Sequence, residues 1–191
     1  RMMSTVKANQ LLLGAPGSVV RLSVIRDNAA DPIDLEVVRG TDRSANVSGR
    51  VLRPGVGYLR ITEFDDATIE AIESTTDTLK QQGIERLLID LRNTAVGSFR
   101  TGIAAAALFT DAATLVIRET SSGQEPFSGT LQPATISWPV VLVTNQGTAG
   151  AAELFAAALA DNDRAESVGL RTAGRAAEQT LVELPEGGGL L

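Results

Sequence analysis

Two short stretches of this sequence hold residues that chemistry could use. The first is Asp90-Leu91-Arg92-Asn93-Thr94-Ala95-Val96-Gly97, and the second is Thr144-Asn145-Gln146-Gly147-Thr148-Ala149-Gly150-Ala151-Ala152-Glu153. Each continues from an apolar run, residues 87–91 and 140–143, of the kind found in strands buried on both faces. In α/β sheets ligand sites lie at such strand ends, where loops and helix starts converge. Free backbone N–H groups at the start of the Ala-rich segment after Gly150 could stabilise an oxyanion. Small residues at these junctions serve helix–strand packing equally well. The nearby hydroxyls are Ser98 and Thr148, and the nearby carboxylates are Asp90 and Glu153.

Composition narrows what these groups can do. The 191 residues include no His and no Cys, and the basic residues are 15 Arg and two Lys, Lys7 and Lys80. A Ser-His-Asp triad, an imidazole base, a thiol nucleophile, a disulfide and a His or Cys metal site are therefore excluded. No cofactor and no metal is implied. With 17 basic against 23 acidic residues the net charge is −6, and no basic block argues for nucleic acid. No run approaches the roughly 18 apolar residues of a membrane span. The opening Arg1-Met2-Met3-Ser4 has no apolar h-region and reads as cut from a longer chain.

The elements that must position the two junctions follow from periodicity. Residues 4–13 suggest a short helix ended by Gly14 and Pro16, and residues 18–26 and 33–39 alternate as a hairpin turning at Asp27-Asn28. Residues 44–54, polar and Gly-punctuated, read as a linker. From Val56 strands and helices alternate: a strand over 56–61, then a helix capped by Asp65 or Asp66 with Ile69, Ile72, Thr76 and Leu79 on one face and Gly83 as its stop. The buried strand at 87–91, an Ala-rich helix over 103–108, a loop over 124–133, the strand at 140–143 and a helix running to Leu159 come next. Val182 and Leu184 belong to a late strand. The pattern is that of an α/β fold.

Several spaced segments together resemble one family. These are Gly57-Tyr58-Leu59-Arg60-Ile61 with Phe64, Leu88-Ile89-Asp90-Leu91-Arg92-Asn93, Gly147-Thr148-Ala149-Gly150-Ala151-Ala152-Glu153, the stretch from Ala158 through Thr172, and Gly174-Arg175-Ala176-Ala177-Glu178-Gln179. In this order they are similar to the C-terminal processing, or tail-specific, serine proteases, which use a Ser–Lys dyad. The resemblance implies a partial PDZ-like segment at 1–40, a linker at 41–55 and a protease-like core at 56–191 truncated at its C-terminus. It also implies an extracytoplasmic location, periplasmic or secreted, and a polypeptide or protein partner.

Where the family carries its nucleophilic Ser this sequence has Gly150, and where the family carries its Lys it has Arg175. Glycine offers no nucleophile, and a guanidinium with a pKa above about 12 cannot act as a base. Gln179 retains the family's residue beyond the base. The oxyanion-like backbone falls on Val96, Gly97 and Ala151, although the family's Asn-Pro-Gly-Gly is here Thr94-Ala95-Val96-Gly97. These departures imply a pseudo-protease that binds peptide or a partner. Two other readings stay open. One is an active serine-type endopeptidase with Thr148 as a relocated nucleophile or with a partner completing the site. The other is a scaffold for oligomerisation.

Overall fold

The computed structural model describes residues 11–25, 31–40, 45–127, 134–177, 182–183 and 189–190. The chain divides into two compact units, one of residues 1–44 with 179–191 and one of residues 45–178. The first holds an antiparallel hairpin of β1 (Val19–Val24) and β2 (Ile33–Val38), in which Leu22 faces Leu35 across the ladder. Its expected turn at Asp27-Asn28 lies outside the described residues, and of the expected first helix, residues 4–13, only Leu11, Leu12 and Leu13 are described, the first two helical and Leu13 not.

The second unit runs β3 (Val47–Arg53), β4 (Val56–Ile61), α1 (Thr68–Gln81), β5 (Arg86–Asp90), α2 (Phe99–Ala107), β6 (Val116–Thr120), β7 (Gly123–Phe127), β8 (Val140–Thr144), α3 (Ala151–Ala160) and β9 (Ala165–Gly169). Two further short strands, β10 (Val182–Glu183) and β11 (Gly189–Leu190), pair antiparallel in the first unit. Five strands of the second unit form one sheet in the order β3-β4-β5-β8-β9. The β3–β4 pair is antiparallel, and the rest are parallel. This is the α/β architecture that the sequence implies.

Position in the sheet explains the sequence of each strand. β5 lies between two parallel neighbours, so it reads as an unbroken apolar run, with Leu87, Ile89 and Leu91 buried. α1 buries Thr68, Ile72, Thr76 and Leu79 and leaves Lys80 exposed in its last turn. The Asp65 carboxylate accepts from the Ala67 N–H and the Thr68 hydroxyl, and Gly83, at φ 74°, follows the helix end. The core centres on three wholly buried rings, with Phe155 between Phe64 and Phe109 at centroid distances of 5.5 and 5.7 Å. The Arg164 guanidinium stitches the far side, donating to the carbonyls of Phe109, Ile136 and Trp138.

Two expectations are corrected, and one strand was not anticipated. Within the linker expected at 41–55, Val47–Arg53 is β3, an edge strand of the main sheet. An edge strand with one face in solvent reads as polar, and here only Val47 is buried. Within the loop expected at 124–133, Gly123–Phe127 pairs with β6 as β7. The strand β9 has no apolar run at all, because it too lies at the sheet edge and only Ala165 is buried.

Candidate functional site

The first junction is held from below by Asp90 and Arg60. Asp90 ends β5 with only 3% of its surface exposed, and its carboxylate accepts from Tyr58 Oη at 2.8 Å, Arg92 N at 3.0 Å, Arg92 Nε at 2.9 Å and Arg92 Nη2 at 2.6 Å. Burial raises the pKa of this carboxyl. The Arg92 side-chain and backbone donors and the Tyr58 hydroxyl outweigh burial and bring it from 3.8 down to about 2. From β4, Arg60 Nη1 donates to the Asp90 and Ile61 carbonyls at 2.7 and 2.6 Å, and Nη2 donates to the Arg92 carbonyl at 2.5 Å. The Thr94 hydroxyl accepts from Arg60 and donates to the Ile61 carbonyl. The turn is thus over-determined before it reaches Ala95.

Because the Asp90 pKa is lower folded than unfolded, the folded protein binds fewer protons between about pH 4 and pH 2. The stability that Asp90 contributes is complete above that window and is lost as pH falls through it. Asp90→Asn is expected to be less stable than the wild type at pH 7 and to show a shallower loss of stability on acidification. Urea unfolding at a series of pH values measures this. Parallel acid profiles for the two proteins would refute it.

Beyond Thr94 the loop pairs with the residue after β4. Phe64 N donates to the Val96 carbonyl and Ser98 N to the Phe64 carbonyl, so Gly97 forms a parallel bridge with Phe64. Ser98 then caps α2 by accepting from the Thr101 N–H. The two junctions are cross-linked by amide side chains. Asn93 N donates to Asn145 Oδ1 and Asn145 Nδ2 to Asn93 Oδ1, while Ala149 N donates to the Thr94 carbonyl.

The second junction is a sharp elbow. Gly150 is the N-cap of α3 with φ 60° and ψ −123°, a backbone conformation that L-residues adopt only under strain. Its N–H faces the Arg175 carbonyl at 3.1 Å and Glu153 Oε2 at 3.2 Å. Glu153, one turn into the helix, also accepts from Gly174 N at 2.6 Å and Arg175 N at 2.7 Å. Burial raises the Glu153 pKa, but the donors from Thr172, Arg175, Gly174 and Gly150 together leave it below its ordinary value. One buried carboxylate therefore ties the helix start to residues 172–175. The Ala151 N–H, at the first helical position, has no acceptor among the described residues.

The structure brings Gly150, Ala151 and the Arg175 backbone together. The Arg175 side chain is exposed, and Arg175 lines a cavity of about 460 Å³ with Ala95, Gly147, Ala149 and Thr172. A side chain at position 150 would have room, since the nearest atom to a Cβ there is the Ala95 carbonyl oxygen at 3.9 Å. The Val96 carbonyl is bonded to the Phe64 N–H, while the N–H groups of Val96 and Gly97 are not used in that bridge; Val96 is 61% exposed. Thr148 is wholly buried, and its hydroxyl donates to the Leu91 carbonyl at 2.8 Å while accepting from Asn145 N. That hydroxyl is spent on structure, which removes it as a relocated nucleophile. Gln179 and Lys7 lie outside the described residues. Among the described residues no group of three acidic side chains could hold a metal ion, and no helix is long and apolar enough to cross a membrane.

The residues that sequence reasoning missed are Arg60, whose four donations hold the first turn, and the Asn93–Asn145 pair. Neither carries a local signal, because apart from the Ile61 carbonyl every partner lies tens of positions away in the chain.

The chain is similar to known proteins. Residues 55–191 match the family described as Peptidase family S41. The chain is 35% identical over 181 residues to a carboxyl-terminal-processing protease of Picosynechococcus sp., covering 93% of this chain and 44% of that protein. It is 32% identical over 183 residues to the chloroplastic C-terminal processing peptidase of Tetradesmus obliquus, covering 93% of this chain and 38% of that one. Among solved structures, the photosystem II D1 C-terminal processing protease superposes with a TM-score of 0.71 at 29% identity, over 92% of this chain and 50% of that chain. The chain spans less than half the length of the two relatives.

Proposed function

Because the chain belongs to peptidase family S41, we propose that it is a peptidase-fold domain without a working Ser–Lys dyad that still binds polypeptide. The nucleophile position is Gly150 and the base position is Arg175. The observation that carries this reading is the elbow itself. A helix start at φ 60° with open space beyond its Cα, bonded directly to the Arg175 backbone, has the arrangement a nucleophile and its base require. Neither side chain can do the chemistry: glycine has none, and arginine keeps its proton. The hairpin unit is proposed to derive from a PDZ-like domain, and an extracytoplasmic location is proposed from the same kinship.

The test is hydrolysis. Wild-type protein incubated with an unstructured polypeptide bearing an apolar C-terminus is expected to leave it intact by mass spectrometry. Reproducible cleavage by the wild type would overturn the reading. Gly150→Ser combined with Arg175→Lys is expected to cleave at least roughly tenfold above that background, with either single substitution remaining near it, because nucleophile and base act as a unit.

A further inference from the structure

A second cavity, of about 520 Å³, lies along one edge of the β6–β7 hairpin. All five residues of β6 line it and none of β7 does; Phe99, Leu154, Ala176 and Ala177 form the opposite wall. The hydrogen-bonding parity of the hairpin follows from one residue. Pro126 in β7 has no N–H to give, and it stands opposite Ile117 in the register. That pair is therefore one of the non-hydrogen-bonded pairs of an antiparallel ladder, and Glu119, two residues on, belongs to the next. The N–H and C=O groups of Ile117 and Glu119 consequently point away from β7, into the cavity. On the outer edge of β7 the corresponding donor is missing at Pro126, which closes that side to pairing.

We infer that the outward edge of β6 is a strand-addition site for an extended polypeptide, which sets an apolar side chain against Phe99 and Leu154. Two residues of β6, alternate in sequence, offer a donor and an acceptor each, and an extended peptide is the ligand whose backbone repeats that spacing. At about 3.3 Å per residue, β6 presents roughly 16 Å of edge, enough for four or five residues of ligand. Ile117 and Glu119 offer one row of outward backbone groups, with Phe99, Leu154, Ala176 and Ala177 across from them, so the occupant is a single extended strand. Leu154 is buried in that wall, and Phe99 is held there edge-on to Phe127 at 5.3 Å, so the side-chain pocket is preformed and apolar. Ile117 is 58% exposed beside it. Two residues of the wall, Leu154 and Ala176, are the chain neighbours of Glu153 and Arg175 at the elbow.

This inference rests on the polypeptide-binding half of the function proposed above, and one titration series separates the two. The probe is a lysine-flanked peptide of alternating leucine and alanine, titrated into the whole chain by calorimetry. Two versions carry N-methyl groups on alternate residues, one on the odd positions and one on the even. Only one version loses the N–H groups that meet β6, so one is expected to bind at least tenfold more weakly and the other within threefold of the unmodified peptide. Ile117→Pro, which removes the outward donor at a position that does not bond to β7, is expected to weaken binding at least tenfold, and Ile117→Ala less than threefold. If the peptide binds and neither methylation nor Ile117→Pro matters, the β6 site is wrong and the polypeptide-binding reading stands. If the unmodified peptide does not bind the wild type, both fall.

Discussion

Glu153→Ala is expected to lower stability by about 4 kcal/mol, a fall of roughly 10 °C in Tm. The carboxylate is 7% exposed, and it accepts from three backbone N–H groups on two segments of chain that are otherwise joined by the Gly150–Arg175 and Ala173–Thr148 backbone bonds. Each hydrogen bond to a charged acceptor contributes about 1.5–3 kcal/mol, and the losses do not simply add. Removing the acceptor leaves the Gly174 and Arg175 donors with no partner on α3. Glu153→Gln is expected to be almost as damaging, because its amide turns two hydrogens of its own toward N–H groups. Thermal unfolding measures the first effect, and amide exchange at Gly174 and Arg175 localises it. A loss below about 1 kcal/mol for both variants would show that residues 172–175 are held by other means.

Gly97→Ala is expected to cost about 3–5 kcal/mol. Gly97 has φ 143°, and a Cβ there would lie 2.5 Å from Phe64 Cβ and 2.6 Å from the Phe64 carbonyl oxygen. Neither neighbour can step aside, since Phe64 is wholly buried against Phe155 and its carbonyl accepts from Ser98. The loop must detach from Phe64 to admit the methyl group. Val96→Ala, one position earlier, is expected to change stability by less than about 0.5 kcal/mol, because that side chain faces solvent. Urea unfolding of both variants makes the comparison, and equal small losses would contradict it.

How much of this was legible in the sequence depended on how local the cause was. The strands β5 and β8 read directly, since burial between parallel neighbours forces an apolar run, and β4 read from its alternation. α1 read from the spacing of Ile72, Thr76 and Leu79. The edge strands β3 and β9 did not read, because a strand with one neighbour exposes its side chains and loses the apolar signature. The Asp90–Arg92 pair spans two residues and lies within one local stretch, whereas the bonds from residues 174 and 175 to Glu153 cross more than twenty. The Asn93–Asn145 clasp and the reach of Arg60 to the Arg92 carbonyl depend on the parallel packing of β4, β5 and β8, which no local pattern encodes. The approach of Arg175 to Gly150 was legible only through family resemblance, and the engagement of Thr148 with the Leu91 carbonyl was not legible at all.

The elbow at position 150 has a consequence for labelling chemistry. The chain contains no cysteine, so a thiol introduced by Gly150→Cys would be unique in the molecule. It would stand at the start of a ten-residue helix, where the dipole favours the thiolate, with its nearest neighbour atom 3.9 Å from its Cβ. The cost is the backbone strain of a side chain at φ 60°, about 1–3 kcal/mol, borne by a turn already clamped by Glu153. A fluorophore attached there would look into the cleft beside Arg175 from a fixed position, with no background from the rest of the protein.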